Sequence, residues 1–467
     1  MLPVLQRRIT LTDKRRKNKF ILVWEIFLNV AGMTFIFALI WFLFYRYNLR
    51  AGFLYKKGTA LMFGMYAAVY FFVTGIYGGH KIGYYRISEI MYSQFLAMIM
   101  TNAFVYCQTC LIDRRFIEFK PIIIMCIMDT VYIFFWTIWC NKRFRKRNII
   151  RNMTVICETA LSAELIKKMN YYDYKFHITK QIGIKEGIDY ILQNLNPNDG
   201  VIIADVESEI KKKIIDFCFE NNMPVFIIPD VSEIVLKNSY ALNLMDMPVL
   251  VCNKGELSLI DEFSKRFFDL VVSITALIVF SPFMIITALA IKLYDGGPVF
   301  YKQKRLTIHR KEFYVYKFRS MVVNAEGDGV ARLAKQNDSR ITPVGKIIRK
   351  TRLDELPQIL NVLKGDMSVV GPRPERPEIA EQYENYIPEF KYRLKVKAGI
   401  TGYAQVLGRY NTDPYDKLMW DLMYIAGYSF LMDIRLIMMT VKVIFIPEST
   451  QGVGNKDVTA QKKKGRV

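Results

Sequence analysis

The sequence predicts a membrane protein of mixed class. It reads as a four-helix transmembrane bundle, a Rossmann-like α/β domain, and a C-terminal α/β-containing domain built around one more apolar helix. Three observations predict this. Hydrophobic residues make up 52% of the 467, with 22 Met and 32 Phe, at the top of the soluble range. In the first third they gather in runs of membrane-spanning length. Behind those runs, short β-branched segments alternate with helical ones. At roughly 100–200 residues per domain the length asks for about three domains. Disorder is excluded over most of the chain, since it requires low hydrophobicity. A disulfide scaffold is excluded too: seven Cys is few and odd, and Cys107, Cys110, Cys126 and Cys140 all lie inside apolar runs. The Cys107–Cys110 spacing has no second pair to complete a metal site.

Residues 1–148 form the first element. Apolar runs at Ile21–Tyr45, Gly58–Gly78, Glu89–Ile112 and Phe119–Cys140 are each long enough to cross roughly 30 Å of hydrocarbon. No cleavable signal precedes them, because the first run is too long for a signal core. Basic residues crowd the chain before the first run (Arg7, Arg8, Lys14 to Lys17) and after the fourth (Lys142, Arg143, Arg145 to Arg147). The positive-inside rule therefore puts both ends in the cytoplasm. Glu25 and Asp129 fall within spans; interhelical hydrogen bonding is the plainer reading, and a transport role the sharper one.

Residues 149–255 form the second. Strands are expected at Thr154–Cys157, Lys175–Thr179, Val201–Ala204, Val225–Ile228 and Val249–Cys252. Helices near Ala160–Met169, Lys185–Leu195 and Glu207–Asn221 lie between them. That alternation implies a parallel sheet. The first strand-to-helix turn, Cys157–Ser162, has no glycine to cradle a dinucleotide, and Glu158 would repel phosphate. A structural or regulatory domain, packing against a second copy as a homodimer, is the expectation.

Residues 256–450 form the third, with a basic tail at 451–467. A fifth apolar run, Leu270–Ile291, is interrupted at Ser281-Pro282, where proline should kink or break the helix. Over 264–293 the chain could cross the bilayer or turn back to its starting face; periodicity alone leaves both open. The formal charge of +22 fits nucleic acid, an anionic leaflet, or phosphate-bearing substrates. The basic residues flank membrane runs and no reader motif appears, so nucleic acid is set aside. The segments C-terminal to this helix favour phosphate. Lys317 and Arg319 lie in FYVYKFRSM. Asp354 and Glu355 precede a short helix that starts at Pro357 and stops at Gly365, whose dipole should keep both carboxylates ionised. Arg373, with Arg376 behind it, is stiffened between prolines. VKAGITGYAQVLGRY adds Gly402, Gln405 and Arg409. Each feature taken singly also reads as an ordinary turn or solvated charge.

Together, these segments resemble the bacterial sugar transferase family of monotopic phosphoglycosyl transferases. The match runs from Lys265 to about Phe445, and its most specific stretch is DELPQ with NVLKGDMSVVGPRP. With the preceding helices and α/β domain, the chain is similar to the large polyprenyl-phosphate hexose-1-phosphate transferases of the bacterial cytoplasmic membrane. The resemblance implies that Asp354 attacks the β-phosphate of a UDP-sugar, UMP leaves, and undecaprenyl phosphate takes the sugar-phosphate. This would be the initiating step of exopolysaccharide, capsule or O-antigen assembly. Glu355 would contact Mg²⁺ (or Mn²⁺), with Lys317, Arg319, Arg352, Arg373 and Arg376 against phosphate. Gly402, Gln405 and Arg409 would line the uridine side. Lys265, Arg266, Asp269, Ser281 and Pro282 match a re-entrant membrane helix. Because UDP-sugars are cytosolic, a fifth crossing would strand Asp354 from substrate. Downstream glycosyltransferases are partners the resemblance allows. Ala398 departs from the family's usual proline before Gly-Ile-Thr-Gly, which predicts a looser loop. The alternative is a catalytically silent scaffold or sensor of polysaccharide assembly.

Overall fold

The computed structural model describes the chain except residues 1, 47, 51–56, 83, 84, 148–150, 159–175, 198, 238, 253, 254, 256, 324, 326–337, 339, 409–412 and 445–467; of 2–19, 57, 145–147, 151, 176 and 444 it describes the backbone only. Two compact units result, Met1–Ile228 and Pro229–Val467.

In the first unit, α1 (Leu2–Ile40), α2 (Lys57–Tyr77), α3 (Ile87–Asp113) and α4 (Lys120–Arg147) carry the four apolar runs. The α1 helix packs on α2 and α4, and α3 on the same two. Their apolar stretches are long enough to cross a membrane, and many large side chains on them are exposed, such as Phe35, Phe72 and Phe135. The interior is partly polar. Asn102 Nδ2 donates to Asp129 Oδ2 at 2.9 Å and Tyr66 to Asn102 at 3.1 Å. Cys140 Sγ donates to Glu25 at 3.1 Å. Both carboxylates of these apolar helices thus have partners on other helices, where an unpaired buried one would be costly.

The same unit holds β1 (Arg151–Cys157), β2 (Phe176–Gly183), α5 (Ile188–Gln193), β3 (Gly200–Ala204), α6 (Ser208–Glu220) and β4 (Val225–Ile227). The strands pair in the order β2-β1-β3-β4, all parallel. Every residue of β3 is buried, as the continuous apolar run GVIIA requires of a strand covered on both faces. The helix expected at 160–169 lies outside the described residues.

The expected fifth strand does not join this sheet. Met247–Val251 (β6) pairs antiparallel with Tyr240–Leu244 (β5) in a hairpin of the second unit, behind α7 (Val231–Lys237). Met245-Asp246 turns it with positive φ at both residues, the pattern of a type I′ hairpin turn. Antiparallel pairing takes only that turn, where a parallel fifth strand would need a crossover.

The second unit is organised by α8 (Leu259–Asp295). Ser258 caps its start, accepting from Asp261 N, and Gly296 ends it at φ +70°. Helix continues through Pro282 without a break. Proline lacks the N–H that would bond Ile278 O, and the Ser281 hydroxyl donates to that carbonyl at 2.9 Å instead. Next come the antiparallel hairpin β7 (Phe300–Leu306) and β8 (Glu312–Phe318), α9 (Pro343–Lys350), α10 (Gln358–Lys364), β9 (Ser368–Val370) and α11 (Pro377–Glu384). The unit closes with β10 (Gly399–Thr401), α12 (Tyr403–Leu407), α13 (Pro414–Ala426) and α14 (Phe430–Ile444). Its core gathers Phe313, Val362, Met367, Leu418 and Leu436.

Candidate active site

Asp354 and Glu355 sit on one 3₁₀ turn, Leu353–Glu355, between α9 and α10. Arg352 enters it with φ +58°, a left-handed conformation costing a side-chain-bearing residue about 1–2 kcal/mol. Gly365 closes α10 at φ +90°, as its place in the sequence predicts.

The two carboxylates meet different surroundings. Glu355 Oε1 accepts from Lys317 Nζ at 3.0 Å and from Arg373 at 2.8 Å. Burial opposes its ionisation, but Arg373, Lys317 and Arg352 outweigh that and hold it well below the usual carboxylate range. Asp354 Oδ1 is buried with no hydrogen-bond partner among the described residues. Burial, reinforced by the Glu355 charge, pushes Asp354 up to about 6, against the pull of Lys317, Arg349 and Arg352. At neutral pH both carboxylates stay largely ionised, with Asp354 the more basic of the two. Burial raises both carboxyls; close cations overcome it at Glu355 but not at Asp354. Burial also pushes the Lys317 ammonium below its ordinary value, partly offset by Glu355.

The residues read as phosphate-binding separate into groups. Lys317, Arg352 and Arg373 surround the dyad. Arg319 does not join them. Its NH1 donates to Asp295 Oδ2 at 2.6 Å, its NH2 bonds Asp295 Oδ1, and its Nε donates to Pro298 O at 2.7 Å. It ties down the end of α8 with its whole fork. Arg376 stands at the N-cap of α11, and Arg409 lies outside the described residues. Arg349, which the motif reading passed over, acts on Asp354. It lies three residues before Arg352, a helical spacing that could have flagged it.

Two distant glycine motifs meet here. Strands β9 and β10 pair in parallel. A Cβ on Gly371 would lie 2.4 Å from Lys397 O, on Gly399 2.1 Å from Gly371 N, and on Gly402 2.1 Å from Gly371 O. Only glycine allows backbones this close. Gln405 Nε2 donates to Ile400 O at 3.3 Å, and its Oε1 is buried without a partner among the described residues. Ala398 does not loosen the loop. Its N–H donates to Thr307 Oγ1 at 3.2 Å, a bond a proline could not make.

The start of α8 holds this assembly. Lys265 Nζ donates to Val370 O at 2.9 Å, Tyr424 at 2.9 Å and Asp433 at 2.6 Å. Arg266 caps the end of α10 through Val362 O at 2.7 Å and Leu363 O at 2.8 Å. Asp269 accepts from Ser368 Oγ at 3.0 Å and Val369 N at 2.9 Å. Lys265 and Asp269, one turn apart, therefore bracket β9, and Arg266 secures the helix leading from the dyad.

Mg²⁺ takes one or two carboxylates and completes its shell with water and substrate phosphates. The partnerless Asp354 Oδ1 and the second oxygen of Glu355 fit that pattern. No group of three metal-ligating His, Cys, Asp or Glu exists among the described residues, so phosphates would have to supply the remainder.

The family model of the bacterial sugar transferase matches residues 260–447. The exopolysaccharide production protein PSS of Rhizobium leguminosarum bv. phaseoli is 44% identical over 199 residues, covering 97% of that protein and 41% of this chain. The chain belongs to the bacterial sugar transferase family. Longer relatives match as well. The UDP-glucose:undecaprenyl-phosphate glucose-1-phosphate transferase of Klebsiella pneumoniae is 39% identical over 270 residues, 57% of this chain and 56% of the relative. The UDP-N-acetylgalactosamine-undecaprenyl-phosphate N-acetylgalactosaminephosphotransferase of Aeromonas hydrophila is 44% identical over 185 residues, 39% and 44% of the two chains. The chain spans about half the length of these two curated relatives.

Proposed function

We propose that this sugar transferase moves a sugar 1-phosphate from a UDP-sugar to undecaprenyl phosphate on the cytoplasmic face of the bacterial inner membrane. The observation that carries the reading is the split dyad: one carboxylate is held by two cations, and beside it Asp354 keeps an Oδ1 that is buried without a partner among the described residues. An Asp354 carboxylate oxygen attacks the β-phosphorus, the bond to the bridging oxygen breaks, and UMP leaves with the electron pair. A phosphate oxygen of the lipid then attacks the same phosphorus and displaces Asp354. Lys317, Arg352 and Arg373 compensate charge that develops on the transferring phosphoryl group. A bound Mg²⁺ held by Glu355 would supply Lewis-acid polarisation of the diphosphate.

The contacts at the two ends of α8 favour a helix that enters one leaflet and returns. Lys265 and Asp269 near its start and Ile291 and Asp295 near its end all contact the same globular unit. The stretch between them exposes Ile278, Val279 and Phe283. A helix crossing the bilayer would carry its far end out of that unit's reach.

Intact-protein mass spectrometry of the full chain with UDP-sugar and Mg²⁺, without lipid, tests the reaction. We expect a stoichiometric burst of UMP and a mass increase of one sugar-phosphate. Turnover with lipid but no adduct or burst would instead favour direct displacement, with Asp354 as a metal ligand. No UMP under any condition would favour the scaffold.

A further inference from the structure

The segment bearing Arg373 forms no helix, and its strand, β9, ends at Val370. Its main chain is nonetheless held throughout. Lys265 donates to Val370 O, Gly399 N to Pro372 O at 2.9 Å, Arg393 to Arg373 O at 3.0 Å, Arg305 to Pro374 O at 3.1 Å, and Leu306 N to Glu375 O at 3.0 Å. Loop carbonyls commonly bond to water at the surface; here three of the five donors are cationic side chains, which make the stronger, charge-assisted bonds.

Arg393 is the most informative of these. It is 4% exposed and Asp421 is 1% exposed. Its Nε donates to Asp421 Oδ2 at 2.6 Å, and its guanidinium lies 4.6 Å from the Phe390 ring centre. Well-packed apolar residues often replace a buried ion pair at no loss of stability. What an apolar pair could not do is donate to the carbonyl of Arg373. Neither Arg393 nor Asp421 belongs to the sequence motifs of the site.

We infer that Arg393, held by Asp421, is a positioning residue: it fixes the main chain of Arg373 so that the Arg373 guanidinium meets Glu355 and the substrate phosphate. The kinetic part rests on the proposed transfer reaction. Lysine at 393 keeps a cation beside Asp421 but lacks the second nitrogen that reaches the Arg373 carbonyl.

Two measurements on the full chain in nanodiscs decide the matter. The first is UMP release by wild type, Arg393→Lys, Arg373→Ala and the double variant. We expect Arg393→Lys to lower kcat by about 10- to 100-fold and to have no further effect once Arg373 is alanine. Full activity in Arg393→Lys, or an equal further loss in the Arg373→Ala background, overturns the inference. The second is hydrogen exchange, which needs no activity. Exchange in Arg393→Lys should quicken in the peptide spanning 370–376 and stay unchanged on α13; unchanged exchange at 370–376 overturns the inference even if wild type releases no UMP. Should Arg393→Lys not fold, Asp421→Glu keeps the ion pair while displacing the guanidinium, and takes its place in both measurements.

Discussion

Two parallel strand assemblies in this molecule make opposite use of glycine. The sheet β2-β1-β3-β4 has an apolar, fully buried inner strand, β3, and the sheet's single buried glycine, Gly200, faces a flexible side chain. A Cβ there would meet Met153 Sδ at 2.5 Å. The pair β9-β10 is three residues long on each side, and its glycines face backbone. The larger sheet can be built by many apolar sequences, since side chains repack. In the smaller one the atoms nearest Gly371 and Gly399 are backbone, which cannot repack, and that rigid contact leads directly into Arg373. Close backbone packing is the better guide to chemistry here than sheet size.

The largest effect we expect is at the dyad. Asp354→Asn should remove burst and adduct, a loss on the order of 10⁴-fold in turnover, with the thermal midpoint in detergent retained. Persistence of the adduct in this variant would remove Asp354 as nucleophile. Next is the glycine contrast itself. Gly399→Ala should destabilise the second unit by about 3 kcal/mol and Gly200→Ala the first by about 1 kcal/mol or less. Equal shifts in thermal midpoint would break the comparison.

A third contrast sets two arginines apart. Arg319→Lys loses the fork on Asp295 and should lower the thermal midpoint while leaving KM for UDP-sugar near wild type. Arg373→Lys should do the reverse, raising KM or lowering kcat with little change in midpoint. The smallest effect concerns ligands of the larger sheet. Calorimetry of the full chain with NAD should show no micromolar binding, given Glu158 and the glycine-free turn; a clear isotherm would show that sheet to be a binding site too.

Much of this was legible in the chain itself. Length and hydropathy are additive properties of consecutive residues, so four apolar helices could be read without knowing what they touch. Local stereochemistry placed Pro357 and Gly365 around α10 for the same reason. Three sequence readings went wrong where a partner lay far away. Arg319 looked like a clamp beside Lys317, but Asp295 claims it. Val249–Cys252 looked like a fifth sheet strand, but the nearby 240–244 segment offered a shorter antiparallel route. Ala398 looked like a weakness, but Thr307 holds its N–H.

The sequence by itself determined the four apolar helices and the family resemblance and picked out the Asp354–Glu355 pair, because each depends on residues adjacent in the chain. Only the tertiary structure decided that Asp354 and Glu355 differ in basicity. That difference comes from burial and from cations contributed by β8 and the 371–374 segment. It also decided that Lys265, on the apolar helix, supports the loop of Arg373 more than 100 residues away. Hydrogen bonds and desolvation act through space, and only the folded chain fixes which groups meet.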